Sequence, residues 1–195
     1  MTANMNHSMD LGDQRILMAG FGGQGIMLMG QALATAAMAE GKEVSWLPSY
    51  GPEMRGGTAN CAVILSDKPI RSPIIDQDAS SAIIMNAPSF DSFEHRVQPG
   101  GFLLLNSSLV TREPSRTDVQ IVRVPGTDLA SELNNVRVAN MIMLGAWLEI
   151  TSYLTLESIV DILRSTFGTK KPELVELNRS ALEVGMAQVS LQQTL

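Results

Sequence analysis

One cysteine, Cys61, and two histidines, His7 and His95, are all the thiol and imidazole ligands in the chain. A lone thiol cannot form an intrachain disulfide, hold an iron–sulfur cluster or build a thiolate zinc site. His7 falls in the polar start of the chain, so a histidine-based metal cluster is excluded too. There is no G-x-S-x-G stretch to act as a nucleophile elbow, which removes the common hydrolase triad. Neither a metal site nor a catalytic acid, base or nucleophile can therefore be named. Charge is also scarce, at 17 % against 45 % apolar, which argues against disorder and for less free surface than a soluble monomer usually has. The 14 basic and 20 acidic side chains leave −6 with no basic block, so nucleic acid and anionic membrane are poor partners. No apolar run approaches the ~18 residues that cross a bilayer. Residues 1–13 lack a basic n-region and read as a loose leader, followed by one domain over 14–195; a cytoplasmic location is expected.

What the chain does have is glycine, placed in clusters. "RILMAG" (Arg15 to Gly20) reads as a buried strand that runs into "FGGQG" and then into a helix from about Gly25 to Glu40, stopped by Gly41. "EVSWL" (Glu43 to Leu47) is a second strand. Strand, glycine turn, helix and strand make a βαβ unit, so these two strands should be parallel. Further strands are expected at Thr58 to Leu65, Ser81 to Asn86, Gly101 to Asn106 and Val119 to Val124. Helices are expected at Ser89 to Val97, Asp128 to Leu133 and Val136 to Ile150, with two more in the tail, the second opened by Pro172. The alternation predicts an α/β fold: a three-layer α/β/α, Rossmann-like domain with a mostly parallel sheet and C-terminal helices.

Gly20, Gly22, Gly23, Gln24 and Gly25 satisfy G-x-G-x-x-G after a first strand and at the start of a helix. Glycine permits positive φ and lets a diphosphate approach bare backbone, while the helix N-terminus presents unpaired N–H groups and a partial positive charge. Gln24 can add a side-chain donor. The alternative is that the glycines only let helix and strand pack closely; the strand–loop–helix context favours anion binding. An NAD site would want an acidic residue at the end of the second strand, but that strand ends Trp46-Leu47-Pro48-Ser49 and Glu43 sits at its wrong end.

A second loop, "SYGPEMRGG", carries Glu53 and Arg55 among Gly51, Pro52, Gly56 and Gly57, with Trp46 and Tyr50 at its base. It can clamp an anion or dock a partner, and equally it can be a surface loop with a solvated ion pair. Cys61, in an alternating apolar strand, reads as a buried inert thiol. Met27, Met29, Met141 and Met143 read as core. Asn140 bonds either to a loop or ligand or within the core.

Together, "GFGGQGIMLMGQALATAA", "YGPEMRGGTANCAVILSDKPIRSP", "NVRVANMIMLGAWL" and "ELNRSALEVG" resemble the gamma subunit of 2-oxoacid:ferredoxin oxidoreductases over nearly the whole chain beyond the leader. The resemblance implies one part of an enzyme that oxidatively decarboxylates a 2-oxoacid and releases acyl-CoA. Thiamine diphosphate and Mg would sit on alpha and beta subunits, and iron–sulfur clusters on a beta or ferredoxin-like delta subunit that passes electrons to ferredoxin. The gamma domain would help bind coenzyme A in a shared site and pack on the alpha subunit. The chain's own residues agree: it has no Gly-Asp-Gly motif and too few cysteines for a cluster. Carried over, Gly22, Gly23, Gln24 and Gly25 would face phosphate. Tyr50, Gly51, Glu53, Met54, Arg55, Gly56 and Gly57 would face the subunit interface near the active site. The motif set lies closest to 2-oxoglutarate enzymes, ahead of branched-chain 2-oxoacids and pyruvate. A stand-alone dinucleotide-binding oxidoreductase and a purely structural subunit remain open, and the isolated chain can form a homodimer.

Overall fold

The computed structural model describes residues 12–50, 57–168 and 171–193. A six-stranded sheet runs in the order β2-β3-β1-β4-β5-β6. Its strands are β1 (Gln14–Phe21), β2 (Glu43–Tyr50), β3 (Thr58–Ser66), β4 (Ala79–Ile84), β5 (Val97–Asn106) and β6 (Gln120–Val124). The helices are α1 (Ile26–Ala39), α2 (Ala87–Phe93), α3 (Gly126–Glu132), α4 (Ala139–Thr151), α5 (Leu156–Phe167) and α6 (Pro172–Gln193), with short 3₁₀ turns at Glu94–Arg96 and Val136–Val138. β1, β4, β5 and β6 are mutually parallel.

The expected βαβ unit needs a correction of adjacency. β1 and β2 do run the same way, but β3 lies between them, antiparallel to both. β2 is therefore an edge strand and continues unbroken through Pro48 to Tyr50, because at an edge the missing N–H of proline need not cost a ladder bond. β2 ends and β3 begins at the sheet end where the glycine loop lies, Tyr50 opposite Ala59 and Phe21 opposite Thr58.

Residue alternation gives the sheet two unequal faces. On one face, Ile16, Met18, Cys61, Val63 and Leu65 pack with α1 and α4 into the larger core. α1 approaches β2 and β3 very closely at Gly30, where a Cβ would stand 2.5 Å from Cys61 Sγ. α4 is buried from Ala139 through Leu148 between the sheet and α6; its Trp147 indole N–H donates to Ser81 Oγ at 3.0 Å. α4 and α6 touch backbone to backbone: a Cβ on Gly145 would lie 2.0 Å from the Leu182 carbonyl oxygen, and one on Gly185 1.9 Å from that of Ile142. α5 buries Ile159, Val160 and Leu163, is capped by Thr155 and is tied to α6 by the bidentate Glu157–Arg179 pair. The opposite face has its own core around Leu17, Ile64, Ile84, Phe90 and Leu103, covered by short α2 and by connecting segments. No described helix is long and apolar enough to cross a membrane.

Candidate functional site

β1 hands its chain to α1 on one face and toward β2, whereas β4 hands its chain to α2 on the other face. The sheet thus has a topological switch point between β1 and β4, where open α/β sheets leave a crevice at the strand C-termini. The glycine loop sits over that point.

Packing alone accounts for two of its glycines. A Cβ on Gly20 would meet Gln24 Oε1 at 2.7 Å and Met85 Cβ at 2.9 Å, and one on Gly25 would meet Asn140 Nδ2 at 2.4 Å. Backbone conformation accounts for Gly23 and again for Gly25, at φ 95° and 76°. Gly22 is different. Its φ is not positive, it is exposed, and the nearest atom to an added Cβ would be Gly57 O at an ordinary 3.7 Å. Among the described residues, neither packing nor backbone explains glycine at position 22.

The loop is held internally. Gln24 N donates to Phe21 O at 3.1 Å, closing a turn, and Gln24 Oε1 accepts from Phe21 N at 2.7 Å and from Asn86 Nδ2 at 3.1 Å. The side chain expected to offer a donor outward is therefore folded back into its own loop. Gly22 N donates to Gly57 O at 3.0 Å, which ties the glycine loop to the end of the second loop. The amides of Gly23 and Gly25 form no such bond among the described residues, and α1 then opens at Ile26. α1 has no side-chain N-cap and no acidic residue in its first turn, so the positive end of its dipole is uncompensated.

Asparagines secure the surroundings. Asn140, 2 % exposed, donates to the Gly25 carbonyl at 3.1 Å, which realises the loop-bonding role. Asn86 caps α2 by accepting from Ser89 N, and Asn106 bonds Thr127 Oγ1 at 2.9 Å, anchoring the start of α3. Sequence reading did not single out Asn86 or Asn106. The available signal was an asparagine directly after each of two apolar strand runs, "SAIIMN" and "GFLLLN".

Gly23 and Gln24 also line a cleft of about 230 Å³ with Met85, Leu109, Thr127, Val136, Arg137 and Ala139. Arg137 is exposed and has no carboxylate partner among the described residues. Here too sequence reading was silent, since the arginine lies in a 3₁₀ turn that resembles the start of the following helix. Of the second loop, Tyr50 ends β2 and Gly57 precedes β3; Gly51, Glu53, Met54, Arg55 and Gly56 lie outside the described residues, as do leader residues 1–11. Burial pushes the Cys61 thiol up to about 12, opposed by a hydrogen bond with Trp46, as suits an inert core residue.

Fold and loop define an α/β domain whose α1 N-terminus, without a side-chain cap, stands at the sheet's switch point. The family model for pyruvate ferredoxin/flavodoxin oxidoreductase matches residues 15–188, and the chain belongs to this family. It is 38 % identical over 172 residues to the ketoisovalerate oxidoreductase subunit VorA of Methanothermobacter thermautotrophicus, covering 88 % of this chain but 35 % of that one. The chain thus spans about a third of the length of that relative. Among solved structures it resembles the gamma subunit of a keto/oxoacid ferredoxin oxidoreductase from Geobacter sulfurreducens, with TM-score 0.79, 30 % identity, and 92 % and 98 % of the two chains covered. It also resembles the 2-oxoglutarate:ferredoxin oxidoreductase of Magnetococcus marinus, solved with 2-oxoglutarate, coenzyme A and succinyl-CoA bound: TM-score 0.84, 25 % identity, 92 % of this chain and 31 % of that one.

Proposed function

We infer that this chain is the gamma-type subunit of a 2-oxoacid:ferredoxin oxidoreductase and that its switch-point cleft binds the diphosphate of coenzyme A. Thiamine diphosphate, Mg and iron–sulfur clusters belong to alpha, beta and ferredoxin-like partner subunits, which carry out decarboxylation and electron transfer to ferredoxin. This chain supplies binding and no catalytic group. The observation that carries the reading is Gly22, a glycine that neither φ nor packing among the described residues demands, placed beside the Gly23 and Gly25 amides, which bond no described backbone carbonyl. A diphosphate lying along bare backbone there would be favoured by the α1 dipole and could pair with the Arg137 guanidinium across the cleft. The coenzyme A in the Magnetococcus relative supports the choice of nucleotide. VorA and the Magnetococcus relative are named for different 2-oxoacids, ketoisovalerate and 2-oxoglutarate; we keep 2-oxoglutarate as the first substrate to assay. A stand-alone NAD enzyme fits less well, because β3 stands between β1 and β2, so the end of β2 is not adjacent to the glycine loop as a ribose-binding strand end would be.

The test uses the complex purified through a tag on this chain. Arg137→Ala should raise the KM for coenzyme A about tenfold or more, the value of a charge-assisted hydrogen bond. Gly22→Ala should raise it as well while leaving the melting temperature unchanged. Decarboxylation of the 2-oxoacid in the absence of coenzyme A should persist in both. Wild-type KM values for coenzyme A in both variants would sink the reading and favour a structural role for the loop.

A further inference from the structure

On the second sheet face no described helix packs extensively over β2 and β3. Of the described helices, α1 is the one that packs extensively on β2 and β3, and it lies on the other side. The strand register sets Leu47, Ala62 and Leu17 in one row across β2, β3 and β1, with Ser49, Asn60 and Ala19 in the next and Phe21 beside Thr58 at the top. This strip carries no charge; its β1 members Leu17 and Ala19 are buried, while Leu47 is 46 % and Phe21 36 % exposed. Below it the same face falls into a basin of about 720 Å³ under the 66–78 connection. Ile64, Ile70 and Ile74 give the basin an apolar wall, and Ile74 is 64 % exposed. Arg15, Lys68 and Arg71 bring positive charge. Arg15 is neutralised by Asp78 at 2.9 Å, and Asp13 accepts from Ser66 Oγ at 2.5 Å. Lys68 and Arg71 have no carboxylate partner among the described residues.

Buried sheet faces in a single domain are normally covered by a layer of their own. In VorA and in the Magnetococcus enzyme the matching region is 35 % and 31 % of a longer chain, so in those proteins this domain is continuous with other polypeptide. We propose that the open β2–β3 face, with Phe21 at its end, and the basin beneath it form one docking surface for a separate protein subunit. That subunit corresponds to the rest of the longer relatives and presents an uncharged apolar face flanked by a carboxylate-bearing segment. The strip supplies apolar burial at Leu47 and Phe21, and the basin takes the acidic segment against Lys68 and Arg71. Because the strip ends at Phe21 and Thr58, beside the Gly22–Gly57 bond, the partner would border the switch-point cleft. This inference rests on the chain being a subunit but not on its binding coenzyme A.

The experiment is purification of the full complex through a tag on this chain, read by native mass spectrometry and by hydrogen exchange of the complex against the free chain. Wild type should carry one distinct larger chain, with added protection in β2 and in residues 66–78. Leu47→Asp, and separately Lys68→Glu with Arg71→Glu, should each cut recovery of that chain about tenfold or more, as like-charge or uncompensated contacts do. The free variants should melt with wild type, since all three positions are exposed. Arg164→Glu on α5, across the sheet, should recover the partner in full. The docking surface is refuted if both face variants keep wild-type recovery, if added protection falls on α5 and α6 instead, or if the occupant is a second copy of this chain. A wild-type chain with no partner but full activity alone would overturn the subunit reading itself, which is a different result.

Discussion

Replacing Gly145 or Gly185 by alanine sets two well-known effects against each other. Both glycines lie inside helices, α4 and α6, where alanine is favoured over glycine by about 1 kcal/mol. Propensity alone therefore predicts a more stable protein. The structure predicts the reverse. An added Cβ would stand 2.0 Å from the Leu182 carbonyl oxygen at Gly145 and 1.9 Å from that of Ile142 at Gly185. Ordinary contact begins at 3.4 Å, so the helices would have to separate by about 1.4 Å, and the obstacle is backbone that cannot rotate aside. α4 is buried on the sheet side as well, so moving it opens voids against Trp147 and Met143. Overpacking of this kind costs about 1–3 kcal/mol or more, and each void adds ~24 cal/mol per Å³. We expect each single variant to lose about 2 kcal/mol net, a fall of roughly 5 °C in melting temperature for a domain of this size. Since one separation relieves both clashes, the double variant should lose less than the sum, by about 1 kcal/mol. Urea and thermal unfolding at two protein concentrations would measure this, the second guarding against self-association. A melting temperature that rises in either single variant would refute the backbone contact.

The remaining predictions concern Cys61 and Asn140. The native Cys61 thiol should resist a thiol reagent at pH 8 and react at the rate of global unfolding, since burial holds it protonated to about pH 12. A thiol whose folded pKa is raised favours the folded state below the unfolded value and loses that contribution as pH climbs. From about pH 9 to 12 the wild type should therefore lose about 1.4 kcal/mol per pH unit more than Cys61→Ala; equal slopes in urea titrations at these pH values would contradict it. Asn140→Asp replaces the donor on the Gly25 carbonyl by a buried carboxylate oxygen, which should cost about 3 kcal/mol at pH 7. Because the protonated carboxyl can donate again, the deficit should shrink toward pH 4, and a pH-independent deficit would argue against this contact.

Much of the fold was legible because it is written in local pattern. The glycine loop between a buried strand and an apolar helix, the strand runs ending at Asn106 and Val124, and Pro172 at a helix start all carry their signal within a few residues. Sheet order does not. Nothing local in "EVSWL" or "TANCAVIL" says that β3 will pass between β1 and β2, and Pro48 reads as a strand end until its edge position is known. The cleft shows the same division. Gly23 and Gly25 declare themselves by spacing. Arg137 becomes visible only when the turn before α4 is folded against the loop, and the inward turn of the Gln24 side chain depends on Asn86, distant in sequence.

The insertion of β3 also bears on the order in which the chain can acquire structure. β1, α1, β2 and β3 form three paired strands with a helix on one face, contributed entirely by the first 66 residues. Three strands packed on a helix reach the size at which a sheet can stand without further support. The β1–β4 pairing, Ile16 meeting Ser81, can form only after the chain has run past β3. During synthesis this order would let the first part of the chain collapse into a template before β4, β5 and β6 leave the ribosome, so that each later strand adds in parallel to an edge already made.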